Sequence, residues 1–167
     1  MKALFLPIIG VAIFIAVVGV MTQKFQASSF PSIPNGSSPP TPKTKEIKVG
    51  RITLNIEVAN TPDARKMGLS GRDGLNDKNG MLFVFEKGSF PTFWMKDMKF
   101  PLDFIWIKNG KITKIEKNVP APAPGVPDRQ LNFYHPDYPI DYVLEVNGGF
   151  SDKNSLKADD SIDLSGI

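Results

Sequence analysis

The chain changes character near residue 45, and that break sets how much of it can build a core. Residues 1–45 carry four lysines, Lys2, Lys24, Lys43 and Lys45, and no acid; all 17 acidic residues of the 167-residue chain fall from Glu46 onward. Leu4 to Met21 is an uncharged apolar run of eighteen residues, LFLPIIGVAIFIAVVGVM. As a helix rising about 1.5 Å per residue it would cover roughly 27 Å, close to the hydrocarbon thickness of a bilayer. Residues 1–22 are therefore expected to be a membrane anchor that contacts the lipid bilayer through residues 4–21. The alternative is a cleavable signal peptide, whose apolar core is usually shorter and ends near small residues, whereas here Ala27 and Ser29 lie well beyond the run. Residues 23–45 form a Pro/Ser-rich linker with five Pro and five Ser between Gln23 and Thr44, a composition that favours extended chain over a core. Because the first residues of short N-terminal anchors usually stay inside, the rest of the chain is expected on the extracytoplasmic side.

One domain of ordinary size remains, residues 46–167. It holds 16 basic and 17 acidic residues, so the formal net charge of +3 belongs to the N-terminal part and not to the domain. A nucleic-acid-binding domain would need a positive folded part, so no nucleic-acid partner is expected. With no Cys and one His, His135, the sequence excludes disulfides, thiol catalysis, Cys-based zinc sites and multi-histidine metal sites. Neither a metal nor a cofactor is expected. There is no nucleophile elbow, phosphate loop or dinucleotide fingerprint.

The domain reads as short strands between turn signals. Ile52, Leu54, Ile56 and Val58 alternate with polar residues at the period of a half-buried strand. Ile47 and Val49 have the opposite parity, which puts a bulge or tight turn at Gly50-Arg51. Met81–Phe85 and Phe104–Ile107 are continuous apolar runs, expected of strands covered on both faces. Asn109-Gly110 suits a type I′ turn and predicts a hairpin over 103–117. Thr61, Pro62 and Asp63 open a short helix that Gly68 closes. The four prolines of Val119–Pro127 mark a loop, Tyr142–Val146 a strand, and Ser161–Ile167 a last strand. The expected fold is mainly β: a compact antiparallel β-sandwich or barrel with one or two short helices.

The order of these pieces resembles the domain-of-unknown-function family 192. The likeness is carried by TPDARKMGL at Thr61–Leu69, Arg72, GMLFVF at Gly80–Phe85, FWMK at Phe93–Lys96, PLD at Pro101–Asp103, Gly110, and VLEVNGG at Val143–Gly149. The resemblance implies a small β-sandwich, often exported or membrane-anchored, and brings no established activity. Two positions depart from the usual pattern: Ser70 stands where Met is common, and Asp97-Met98 where Asn-Thr is common. A role needing an amide and a hydroxyl at 97 and 98 is not carried over.

Ser89–Trp106 packs four Phe, two Trp, two Met and four charges into eighteen residues. Phe93, Trp94, Lys96, Asp97, Asp103 and Trp106 are the candidate ligand-binding set, because rings with interleaved polar groups stack on sugars or apolar ligands. The plain alternative is core filling by the rings and a Lys96–Asp103 ion pair, since an isolated buried charge is costly. Arg65, Arg72 and Glu145 form a second polar group suited to an anionic ligand, or else to an internal Arg–Glu145 pair. Asp103 with Asp97, Asp141 or Glu145 could supply the paired carboxylates of a hydrolase on envelope or glycan substrates. Met67, Met81, Met95 and Met98 are expected to fill the core rather than bind copper. A membrane-tethered domain binding a small molecule, glycan or envelope partner leads these readings; the others are a hydrolase and a structural module without a ligand.

Overall fold

The computed structural model describes residues 44–167. The anchor or signal peptide at 1–22 and nearly all of the linker lie outside the described residues; within these, no helix is long and apolar enough to cross a membrane. Seven strands alternate with two short helices: β1 Thr44–Val49, β2 Ile52–Ala59, α1 Pro62–Met67, β3 Asn79–Ser89, β4 Leu102–Lys108, β5 Lys111–Val119, β6 Ile140–Asn147, α2 Phe150–Lys153 and β7 Ile162–Asp163. The strand at Thr44 starts inside the stretch read as linker. The strand expected over 161–167 is confined to two residues and a bridge at Ser161.

All seven strands lie in one sheet, in the order β5-β4-β6-β3-β2-β1-β7. Of the antiparallel sandwich or barrel expected, the mainly β fold and the curl of a partial barrel are present, and two features differ. Among the described residues there is no second sheet, and β2 and β3 run parallel, with Asn55 beside Asn79 and Ala59 beside Phe83. A parallel pair needs a crossover connection, and here α1 and the loop up to Asn79 supply it. The sheet curls until its two edge strands meet at one end. Ile162 N–H donates to the Gly110 carbonyl at 2.8 Å, Asp159 N–H to the Ile112 carbonyl at 2.8 Å, and Lys111 bridges Ser161.

The local readings explain the turns. Gly50-Arg51 joins β1 to β2 in a two-residue turn with Val49 opposite Ile52. Asn109 and Gly110 both take positive φ, 50° and 70°, as a type I′ hairpin requires. The Thr61 side chain accepts from Ala64 N–H at 3.2 Å to cap α1.

Two apolar clusters sit on opposite faces of the sheet. Inside the curl, every strand contributes: Ile47, Leu54, Leu82, Ile105, Ile112, Leu144 and Ile162 pack together, closed by Phe150 of α2. Outside, Met81, Phe83, Phe104, Trp106 and Val143 pack under Leu69, Phe93, Met95 and Met98. The double cover is why Met81–Phe83 and Phe104–Ile107 carry no polar residue. Met81, Met95 and Met98 fill this core, whereas Met67 is 69 % exposed.

Candidate functional site

The outer face of the central strands holds a row of facing residues: Glu57 of β2 beside Met81 of β3, Met81 beside Glu145 of β6, and Glu145 beside Phe104 of β4. Glu145 sits mid-strand with outward parity, between the inward Leu144 and Val146, and its two cross-strand neighbours are apolar. A Cβ at position 80 would lie 2.9 Å from the Glu145 carbonyl oxygen, so only Gly80 lets β3 approach β6 this closely at that residue.

Above this row, α1, the chain leaving it, β3 and the segment from Thr92 to Met98 enclose a pocket of about 410 Å³. Phe83, Phe85, Phe93, Trp94 and Phe133 give it aromatic walls, with Leu69 and Met98 beside them and Glu145 among the lining residues. Phe93 is the hub: its ring meets those of Phe83 and Phe85 edge-on at 5.0 and 6.1 Å, and behind it lie Phe104 at 5.6 Å and Trp106 at 5.5 Å. Trp94 and Phe133 stack at 5.9 Å with their planes 20° apart. Both rings are exposed, as is Met67 of the same pocket.

Glu145 is 5 % exposed. Among the described residues no donor reaches its side chain. Burial pushes its carboxyl from an ordinary 4.5 to about 8, opposed only by the charge of nearby Arg72. Arg72 does not pair with it: its guanidinium grips Glu57 through two bonds of 2.5 and 2.8 Å, and this hydrogen bonding holds the Arg72 pKa above its ordinary value. Nor does Arg65, which donates to the Val84 carbonyl at 3.0 Å and lies over the Phe85 ring at 5.3 Å. The internal Arg–Glu145 pair expected from sequence therefore does not form.

The rest of the expected set is dispersed. Phe93, Trp94, Arg65 and Glu145 line the pocket. Lys96 and Asp97 face a different groove, bounded by the 121–131 loop, where Lys96 pairs with Asp128 and lies over the Trp94 ring at 5.5 Å. This corrects the expected Lys96–Asp103 pair. Asp103 is fully buried on the inner face, and its two oxygens accept from the N–H groups of Asn118 at 2.7 Å, Gly149 at 2.9 Å and Ser151 at 2.7 Å. A carboxylate sealed and saturated in this way offers a hydrolase no free oxygen. Trp106 is buried behind Phe93, with its indole N–H unpaired within the described residues.

Sequence reasoning missed Phe83, Phe85 and Phe133 as walls, and Glu57 as the partner of Arg72. The one available signal was parity, since Met81, Phe83 and Glu145 project to the same face as Phe104 and Trp106.

The comparisons with known proteins bear on family and fold. No curated protein matches the chain. Two solved structures are similar to it. A candidate transcription regulator from Sinorhizobium meliloti 1021 is 26 % identical, with TM-score 0.66, and the match covers 78 % of this chain and all of that one. A protein of unknown function from Novosphingobium aromaticivorans is 24 % identical, with TM-score 0.65, over 76 % of this chain and 94 % of its own; it speaks for the fold alone. The model of the domain-of-unknown-function family 192, described as Uncharacterized ACR, matches residues 44–164. The whole curled sheet falls within that match, and the chain belongs to this family, which carries no established activity.

Proposed function

We propose that this domain binds a small ligand in the aromatic pocket of its outer face, held near a membrane on the extracytoplasmic side by the N-terminal segment. The observation that carries the reading is Glu145: a carboxyl 5 % exposed, without a donor, lining a pocket that opens to solvent between exposed rings. Burying an unpaired carboxyl costs several kcal/mol even when it stays protonated, and an apolar residue would fill a purely structural position better. The volume lies in the range of small-molecule sites, which are largely apolar with a few convergent polar groups. The stacked, exposed Trp94 and Phe133 suit a ring-bearing or glycan-like ligand. The tether is supported by the uncharged run Leu4–Met21 and the Pro/Ser-rich stretch after it.

A thermal-shift screen of the full-length chain in nonionic detergent, against sugars, envelope fragments, organic acids and amines, tests the proposal. A ligand at about 100 times its Kd adds roughly 2.7 kcal/mol, which raises the melting temperature by several degrees. The expected hit is weakened by Trp94→Ala. Silence across all classes, or a hit indifferent to every pocket substitution, sinks the reading.

A further inference from the structure

Resting on that pocket, we infer that its ligand is an organic ammonium compound, with Glu145 as the counter-charge and the rings of Phe83, Phe85, Phe93, Trp94 and Phe133 as the walls around the cation.

The inference follows from which polar groups of the pocket are still free. Ser70 Oγ donates to the Lys96 carbonyl at 3.0 Å, Thr92 Oγ1 meets His135 Nδ1 at 3.3 Å, and the Arg65 guanidinium is held by the Val84 carbonyl. Lys66 is exposed on α1 at the rim. Of the lining side chains that are buried, Glu145 alone is polar. A neutral polar ligand brings acceptors as well as donors and finds a single donor deep in the wall, the O–H of protonated Glu145. An anion meets a buried carboxyl. An ammonium group brings positive charge to the ionised form of Glu145, on which Arg72 alone of the cations among the described residues acts. Arg72 itself makes its hydrogen bonds to Glu57 and none to Glu145.

The walls favour the same class. A cation within about 6 Å of an aromatic face is attracted to it, most strongly when desolvated, and two of these rings already hold one, Phe85 under Arg65 at 5.3 Å and Trp94 under Lys96 at 5.5 Å. The groups facing Glu145 from neighbouring strands, Met81 and Phe104, do not titrate. The charges on the remaining sides are Arg65 and Lys66 of α1 and the Arg72–Glu57 pair. With burial holding the carboxyl at about 8, roughly a tenth of the molecules carry the ionised form at pH 7. Ammonium binding therefore draws on a minor state that grows with pH.

Three probes of the same bulk decide the matter by titration calorimetry on the full-length chain: choline, its neutral carbon isostere 3,3-dimethylbutanol, and the anion 3,3-dimethylbutyrate. The expected result at pH 8 is choline binding at least tenfold tighter than the alcohol, with the acid weakest. Glu145→Gln should bring choline and alcohol together by weakening choline alone. If that variant does not fold, the parent protein still answers, because the choline-to-alcohol ratio should grow roughly tenfold per pH unit between pH 6 and 7 and level off above about 8. Equal binding of choline and alcohol, a preference that survives Glu145→Gln, or a ratio flat in pH overturns the inference. Binding of the alcohol or acid without choline overturns the ammonium class and leaves the pocket as a ligand site. If none of the three binds and the broader screen is silent too, both readings fall.

Discussion

Asp103 and Glu145 are carboxyl groups on adjacent antiparallel strands, β4 and β6, one residue apart in register and on opposite faces of the sheet. Both are buried, the first fully and the second to 5 % exposure. Asp103 lies inside the curl at the end of its strand and receives three backbone N–H groups, two of them from Gly149 and Ser151 at the start of α2. That helix has no side-chain cap of its own, so a strand residue far upstream supplies one. Glu145 lies outside the curl in mid-strand, where neighbouring backbone is consumed by the sheet and neighbouring side chains are Met81 and Phe104. Burial is the same physical condition in both places. The supply of donors makes one carboxyl a structural tie and leaves the other without a partner among the described residues.

The most direct way to break this comparison is to remove the tie. Asp103→Ala should strand three N–H groups, that of Ser151 buried and those of Asn118 and Gly149 part-buried; at about 1 to 3 kcal/mol for a buried group left unmade and less where water reaches, the loss is about 3 to 6 kcal/mol. In a domain of this size that lowers the melting temperature by about 10 °C or more. Asp103→Asn, which keeps one accepting oxygen, should lose roughly half as much. Chemical denaturation measures both, and a loss under about 1 kcal/mol for the alanine variant would show that the three bonds are not what fixes α2.

Glu145 should behave in the opposite sense. Its folded-state pKa of about 8 lies above the ordinary 4.5, so the folded state holds the proton more tightly than the unfolded chain does. The stability from this group is complete below pH 4.5 and drains away as pH rises toward 8, at about 1.4 kcal/mol per unit. Glu145→Gln removes that slope. In the absence of ligand, the variant should gain up to about 4 kcal/mol on the parent protein between pH 5 and pH 8. Melting curves across that range show it as a widening gap in favour of the variant. Parallel curves would mean that the carboxyl is already ionised and paired.

What sequence could and could not deliver follows from the same contrast. Alternation, the Asn109-Gly110 turn and the Thr61-Pro62 cap are local, and the strands, hairpin and first helix follow from them. The parallel β2–β3 pair is not local: a half-buried strand shows the same period of two whichever way its neighbour runs. The place of the second helix escaped for a sharper reason, since Phe150–Lys153 is short, begins after Gly149, and is capped by a carboxylate 48 residues before Ser151. Within the site, Phe93, Trp94, Arg65 and Glu145 were legible as unusual side chains in apolar strands. Which of them meet was not, because Lys96 and Asp103, seven residues apart, project to different parts of the molecule. Phe133 comes from a loop whose only regular tie to the pocket is the Phe93–Tyr134 bridge.

A smaller effect sharpens the comparison from the side of charge. Arg72 holds Glu57 by two bonds and acts on Glu145 only through space. Arg72→Met should cost about 1 kcal/mol, because a guanidinium one-third exposed is partly screened by water. It should also remove the one charge that lowers the Glu145 pKa. The pH at which the gap between the parent protein and its Glu145→Gln variant stops widening should then move upward when both carry Arg72→Met. If that pH does not move, the two groups are uncoupled and the outer row acts as separate residues.

The smallest expected effect falls on the residue that sequence alone places at the centre of the site. Lys96 is more than a third exposed, pairs with an exposed Asp128, and covers the Trp94 ring from the groove beside the pocket. Exposed pairs of this kind give little net stability, because holding two long side chains in one geometry offsets a Coulomb attraction already weakened by water. Lys96→Ala should therefore leave the melting temperature within experimental error of the parent protein and leave ligand titrations at Glu145 unchanged, while Trp94→Ala weakens them. If instead Lys96→Ala abolished binding and Trp94→Ala did not, the functional surface would be the groove along the 121–131 loop, and the buried carboxyl would be a feature of the core.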